Sequence, residues 1–494
     1  MTFSFRRSYT FLILAAIVFG NITIFAQKKG ATTGPSSSET PYLIRSVPGI
    51  VIKSVLTTGD SVNFKPDGVT PYRMVGIPDG LGAFDNGDGT FTLLMNHEIP
   101  SGGVIRAHGA NGAFVSRWII RKEDLTVLHG EDLIQNVATW NTATSSYNAP
   151  ATGISFSRFC SADLAAPSAF YNTATGLGYD GRIFINGEET GNEGRAWAHL
   201  LNGTSYQLPR LGRASWENLL ANPASGDKTI IAGNDDSTPG GQVYIYVGSK
   251  TSTGSPIDKA GLTNGNLYGV KVTGMTLEDR TLGIASGTQF TLTNLGNVQN
   301  MTGAQIQSAS VAAGVSEFLR PEDGAWDPSN PNDYYFVTTD RFDTIKEGTG
   351  NTVGRSRLYR LRFFDINNPT DGGVIDTILD GTQPYQMLDN ITINRRGQVF
   401  AQEDVGNNAH LGKVWRYSLN TTDLEEVAMH DSSRFLLSGS NFLTQDEESS
   451  GIIDVADILG EGWFLLDAQP HYDIAGELVE GGQLLALHYP PGKK

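Results

Sequence analysis

Short runs of aromatic and β-branched residues recur along the chain, each led in by a turn and closed by an acidic or polar cluster. The segment Phe318–Asp340, FLRPEDGAWDPSNPNDYYFVTTD, shows the unit best. Arg320, Glu322 and Asp323 crowd around Pro321, a Pro/Asn/Asp turn covers Asp327–Asp333, and Tyr334–Thr339 runs apolar up to Asp340. Such a pattern predicts a loop, a turn and a strand.

The unit returns five more times. Asp88-Gly89 leads to Phe91–Met95 and Asn96-His97-Glu98, and Asp180-Gly181 leads to Ile183–Ile185 and Glu188-Glu189. Gly226-Asp227 leads to Thr229–Ala232 and Asn234-Asp235-Asp236, and Arg396-Gly397 leads to Val399–Ala401 and Gln402-Glu403-Asp404. Glu461-Gly462 leads to Trp463–Leu466, Asp467 and His471. A second apolar strand follows each unit: Phe114–Ile120, Ala196–Leu201, Val243–Val247, Leu358–Phe363, Val414–Tyr417 and Leu484–His488.

Repeated strand, polar loop and strand is the signature of a β array. Irregular insertions favour a propeller over a solenoid. The expected fold class is therefore all-β, a six-bladed β-propeller with loop insertions. The first strand of each pair is expected beside the central channel, with its closing acid aimed at the axis. The early strands Tyr42–Thr57 and Tyr72–Val75 are expected to complete the blade that closes the ring. The stretch 249–317 reads as an insertion, with one strand at Leu267–Val272 and a short helix at Ala304–Ala313.

Carboxylates that converge in one funnel repel one another and need cations to stay ionised. Calcium takes several oxygen ligands of this kind. An arginine two residues from an acid, as Arg320 is from Glu322, suits one loop holding both a phosphate and a metal. The plain alternatives are that acids close strands because loops are solvated, and that Arg320 pairs with a nearby acid. The sequence has no P-loop, G-x-S-x-G elbow, HExxH or dinucleotide fingerprint.

The chain has 494 residues and a net charge of −16. That acidity argues against nucleic-acid and anionic-membrane partners. Its one cysteine, Cys160, excludes an internal disulfide framework. Cys160 reads either as a small buried hydrophobe or as a thiolate ligand, since Arg158, Ser161 and Asp163 flank it.

The N-terminus reads as an export signal over 1–27. Arg6-Arg7 precede the apolar runs Tyr9–Gly20 and Ile22–Phe25, and Ala26-Gln27 is a cleavage site. The arginine pair weakly resembles a twin-arginine signal. Taking its two positive charges and no acid from −16 leaves −18. A polar linker is expected over 28–41 and a single propeller domain over 42–494.

Several motifs together resemble the PhoX-type alkaline phosphatases. They are NHE at Asn96–Glu98, the lone Cys in FCSADL, GEE at Gly187–Glu189, WENLL at Trp216–Leu220, GNDD at Gly233–Asp236 and RPEDGAWDP at Arg320–Pro328, in that order. The resemblance implies an exported six-bladed propeller that hydrolyses phosphomonoesters, with an iron pair and calcium ions at its centre. Carried over by position, it implies Cys160 as an iron ligand and Glu98, Glu189, Glu217, Asp235 and Glu322 as acids of the metal centre. It implies Arg320 as the phosphate-binding arginine, with Arg320 and Glu217 as the catalytic pair. Asp236, Asp323, Asp389 and Glu403 extend the set through the repeat. Members of the family carry a Gly-Gly and a Thr-Pro-Trp-Gly-Thr run between the cysteine and the paired glutamates, which Ser161–Asn186 lacks. The expected protein is a periplasmic or secreted monomer acting on a small phosphate ester. The rival readings are a calcium-dependent propeller hydrolase of another class, such as a lactonase or phytase-like enzyme, and a non-catalytic calcium-binding propeller.

Overall fold

The computed structural model describes residues 30–341 and 354–492. The expected leader over 1–27 lies outside them. Among the described residues no helix is long and apolar enough to cross a membrane.

Six blades of mainly antiparallel strands surround one channel, the third and fourth joined in one ten-stranded sheet. Their innermost strands are Pro78–Asp85, Phe159–Asp163, Trp216–Ala221, Pro321–Trp326, Leu388–Ile393 and Glu447–Asp454. Each lies against the next, and the last returns to the first, so the ring is closed. This is the all-β, six-bladed propeller that the repeat predicts.

The apolar runs are continuous because both of their faces are buried. In a strand, successive side chains point to opposite faces. Tyr334 and Phe336 pack toward the third blade, while Tyr335 and Val337 pack toward the fifth. Ile183 and Ile185 face the third blade, and Phe184 faces the first. A blade between two neighbours therefore needs no polar face, which is why YYFV and IFI read as unbroken runs.

The ring is closed by chain ends. Val51–Thr57 pairs with Gln483–His488 in the sixth blade. The Tyr72 segment does not join it, and Pro71–Arg73 forms a separate hairpin with Ser61–Phe64. Within the expected linker, Ala31–Thr33 forms a strand parallel to Ile52–Ser54. The stretch 249–317 supplies more than an insertion: Asn266–Val272 is a further strand of the third blade. Thr288–Gly296 bridges that strand to Gly373–Ile375 of the fourth blade. The expected helix spans Gly303–Ala313. Thr302 caps it, and its side chain and that of Gln305 satisfy each other's backbone amides.

A further expectation is corrected. The runs ending in acids, such as Thr90–His97 and Asp333–Thr338, are the second strands of their blades. The channel strands precede them. RPEDGAW, read as a loop, contains the inner strand Pro321–Trp326. Its Pro, Asp and Gly give it little intrinsic strand preference, so burial between two blades imposes the conformation.

Candidate metal and phosphate site

The inner strands are bulged where they enter the channel. Ladder pairing shifts after Pro78, Phe159, Trp216, Pro321 and Leu388. The residue after each of these turns into the channel: Asp79, Cys160, Glu217, Glu322 and Asp389. In the sixth blade Glu448 takes that place, one residue after the Glu447–Pro470 pair. On the second strands, the residue beyond the last pair does the same. These are Glu98, Glu189, Asp236, Asp404 and His471. The bulges re-aim side chains, as bulges beside active sites commonly do.

Close approach makes this geometry possible. A Cβ on Gly80 would lie 2.4 Å from the Ala162 nitrogen and 2.6 Å from the Cys160 oxygen. Only glycine allows the first and second inner strands to come that near.

Buried amides support the ring from behind. Asn96 Nδ2 donates to the Cys160 carbonyl at 2.6 Å, and Asn186 Nδ2 donates to Asn96 Oδ1 at 2.8 Å. His199 Nε2 lies 2.8 Å from Asn186 Oδ1 and continues the chain outward. Two blades on, Asn234 Nδ2 donates to the Glu322 carbonyl, and Gln402 Nε2 donates to the Ser450 carbonyl at 3.0 Å. Backbone groups released from the ladder by the bulges are thus satisfied across blades, as buried polar groups require.

The resulting cavity of about 320 Å³ is lined by ten carboxylates, Cys160, Arg158, Arg320, His471 and the Gly406 backbone. Among the described residues, three triads have ligand atoms within 4.8 Å of one another. They are Asp79–Glu98–Cys160, Cys160–Glu189–Glu217 and Glu217–Glu322–Asp389. Cys160 joins the first two, and Glu217 joins the second and third.

Arg158 and Arg320 complete the wall. Arg158 Nη2 lies 2.8 Å from Glu98 Oε1, and its Nε donates to Glu189 Oε2 at 2.8 Å. Arg320 grips Asp236 with both arms of its fork, at 3.0 and 2.7 Å, and its Nη2 lies 3.0 Å from Glu322. Thr339 donates to Glu322 Oε1 at 2.7 Å, Ser161 to Glu217 Oε1 at 2.8 Å, and Ser450 to Asp79 Oδ1 at 2.7 Å.

Electrostatics set the site apart from a solvated acidic surface. Burial, reinforced by neighbouring acids, pushes Asp79, Glu217, Glu322 and Asp389 well above the usual carboxylate range. Burial likewise lifts Glu189 and Asp404 to about 8. It also raises the Cys160 thiol, with Glu98 and Glu189 adding to the effect. Two arginines and a histidine cannot neutralise ten carboxylates and a thiol, so the donor set fits divalent cations. Oxygen-only donors suit calcium, and a thiolate suits a softer transition metal such as iron.

Of the residues expected from sequence, Glu98, Cys160, Glu189, Glu217, Arg320 and Glu322 line this cavity together. Asp235 does not. Its carboxylate accepts from the Ser215 amide at 3.0 Å and from Ser237 Oγ at 2.8 Å, and Asp236 faces the cavity instead. Asp235 pairs with Trp216 in the ladder, and alternation turns neighbouring residues to opposite sides. Likewise Glu403 is bound by Trp415 and His410, both at 2.8 Å, while Asp404 enters the cavity. Asp323 sits below the bulge, held by Asn218 at 2.9 Å and the Ile391 amide at 3.1 Å. Asp389 is in the cavity.

Sequence reasoning missed Asp79, Arg158, Asp446 and Glu448 as site residues. A signal existed for Asp79: Ile77-Pro78-Asp79-Gly80 repeats the form of Arg320-Pro321-Glu322-Asp323-Gly324 with one residue fewer.

No protein-family model matches the chain, and no curated protein sequence does. Several solved structures resemble it. PhoX of Pseudomonas fluorescens, in complex with the transition-state analogue vanadate, matches with a TM-score of 0.64 at 11% identity. The match covers 89% of this chain and 95% of that one. Sqt1 of Chaetomium thermophilum bound to the N-terminus of ribosomal protein L10 aligns at a TM-score of 0.37 and 10% identity, over 84% of this chain and 97% of that one. The α-L-arabinofuranosidase PaAbf62A of Podospora anserina aligns at 0.32 and 10% identity, over 88% and 96%. Scores that low bear on nothing further. The chain has a PhoX-like propeller fold.

Proposed function

We propose that this protein is a metal-dependent phosphoric monoester hydrolase of the alkaline-phosphatase type, acting after export. The observation that carries the reading is the meeting of two arginine forks with three adjoining ligand triads in one buried cavity. The PhoX-like fold supports it, since that structure was solved with vanadate, a transition-state analogue.

In this reading Glu217, Glu322 and Asp389 hold calcium, and Cys160 with Glu98, Asp79, Glu189 and Glu217 holds iron. The bound cations supply Lewis-acid charge that polarises phosphoryl oxygens. Arg158 and Arg320 bind the phosphate: each planar fork matches two phosphate oxygens, Arg320 already holds both oxygens of Asp236, and Arg158 spans one oxygen each of Glu98 and Glu189. Glu98 and Asp236 keep the two forks extended into the cavity while it awaits substrate. Glu217, shared by two triads and oriented by Ser161, couples the two halves of the site.

The test is phosphate release from p-nitrophenyl phosphate by protein purified from its exported fraction, alongside elemental analysis of the protein and of Cys160→Ala. Turnover with calcium and iron bound, and iron lost from Cys160→Ala, is the expected result. Turnover of another ester class with calcium alone, indifferent to Cys160, would establish the lactonase or phytase-like rival. Metals that raise the melting temperature without any turnover would establish a binding propeller.

A further inference from the structure

A second cleft, of about 500 Å³, opens beside the acid cavity. The two adjoin. His471 lines both, and the chain passes directly from one to the other at Gly406-Asn407 and at Gln445-Asp446. The His471 amide donates to the Asp446 carbonyl at 2.8 Å, which ties the shared wall together.

The cleft is built from parts added to the repeat. One wall is the connection from the fifth to the sixth blade, carrying Leu437 and Phe442. The other is the Tyr472 segment and the small hairpin that pairs Asp473-Ile474 with Val479-Glu480. Leu437 is 74% exposed and Phe442 41% exposed, although each is a large apolar residue. Exposed apolar side chains gathered in a concavity mark a binding site more than a packing element. The charged residues of the cleft are Asp473, Glu480 and His471, and Glu480 engages His471 Nδ1 at 2.8 Å. The cleft therefore offers apolar contact and negative potential, with its one cation already paired.

We propose that this cleft is the leaving-group subsite, and that it selects monoesters whose organic part is an uncharged aromatic ring. The inference rests on the phosphatase reading above. With phosphate on the arginine forks, the ester oxygen can point past His471, and the ring lies between Phe442 and Tyr472. Leaving groups with further anionic groups, inositol polyphosphates among them, meet Asp473 and Glu480 and are disfavoured by like-charge repulsion.

The experiment compares kcat/KM for 1-naphthyl phosphate, glycerol 2-phosphate and 4-carboxyphenyl phosphate in the wild type, Phe442→Ala and Asp473→Lys. The expected wild-type order places naphthyl phosphate first by about tenfold or more, the scale of a lost apolar contact. Phe442→Ala is expected to reduce the naphthyl-to-glycerol ratio about tenfold. Asp473→Lys, an exposed charge change that spares packing, is expected to raise the carboxyphenyl ester relative to naphthyl phosphate. Unaltered ratios in both variants, with phosphatase activity present, would overturn the subsite and leave the phosphatase reading standing. Absence of hydrolysis of all three esters by the metal-loaded wild type would overturn both.

Discussion

Arg158 and Arg320 hold the same position in two different blades. Each stands two residues before the side chain its inner strand contributes to the channel, Cys160 in one case and Glu322 in the other. Each has a left-handed backbone, with φ of 46° and 56°. Ile77 and Met387 repeat the conformation before Asp79 and Asp389, with φ of 52° and 42°. Non-glycine residues avoid this region at a cost of roughly 1–3 kcal/mol, and such strain gathers at functional sites. In two blades the strained position carries a guanidinium, and in two it carries an apolar side chain.

If the two forks share one phosphate, removing either should weaken transition-state binding far more than folding. Arg158→Ala and Arg320→Ala are each expected to lower kcat/KM for a monoester by about 10²–10³-fold. Arg320→Lys should restore little, because an ammonium cannot bind two oxygens as a fork does. Steady-state kinetics, with melting temperature as a control, checks this.

Adjacent acids should separate cleanly. Asp236→Asn removes a carboxylate from the cavity and the partner of Arg320, so it is expected to change catalysis and metal content. Asp235→Asn disturbs the Ser215 and Ser237 hydrogen bonds and is expected to cost about 1–3 kcal/mol of stability, with metal content preserved. Denaturant titration and elemental analysis of the pair distinguish them.

Metal removal should be pH-dependent in its effect. In the metal-free fold Glu189 and Asp404 hold their protons up to about 8, against ordinary values of 4.5 and 3.8. The unfolded chain gives those protons up at the ordinary values, so unfolding releases protons throughout the interval between the ordinary and the raised values. Stability of the metal-free protein therefore declines as pH rises through that window. Each tenfold difference in proton affinity between the folded and unfolded chain is worth about 1.4 kcal/mol, so both groups push stability the same way across the window. Chelated protein is expected to melt lower at the alkaline end of the window than at the acidic end, with the metal-loaded protein not following that trend. Thermal melts at the two ends are the check.

Buried histidines act in the opposite direction. Burial lowers His199 to about 3 and His430 to about 4, from 6.5. Below pH 6.5 the unfolded chain takes up protons that these folded histidines refuse, so stability falls as pH drops from 6.5 toward 4. His430→Gln is expected to flatten that slope, by up to about 3 kcal/mol at the acidic end. Equilibrium unfolding as a function of pH measures it.

Much of the architecture is legible in the order of residues. Runs such as YYFV and the turns before them are enough to mark six repeats, because a strand buried on both faces must be apolar at consecutive positions. Ordered motifs around Glu98, Cys160, Glu189, Glu217 and Glu322 point to residues that do meet in one cavity. Which strand lines the channel emerges only when the blades pack. The inner strands carry Pro, Gly, Asp and Glu beside a bulge, and they look like loops until two neighbouring blades bury them. Packing also chooses between Asp235 and Asp236, and between Glu403 and Asp404. Strand alternation turns one of each pair inward, and the register that selects it is set by pairing with a distant segment, not by the residues themselves.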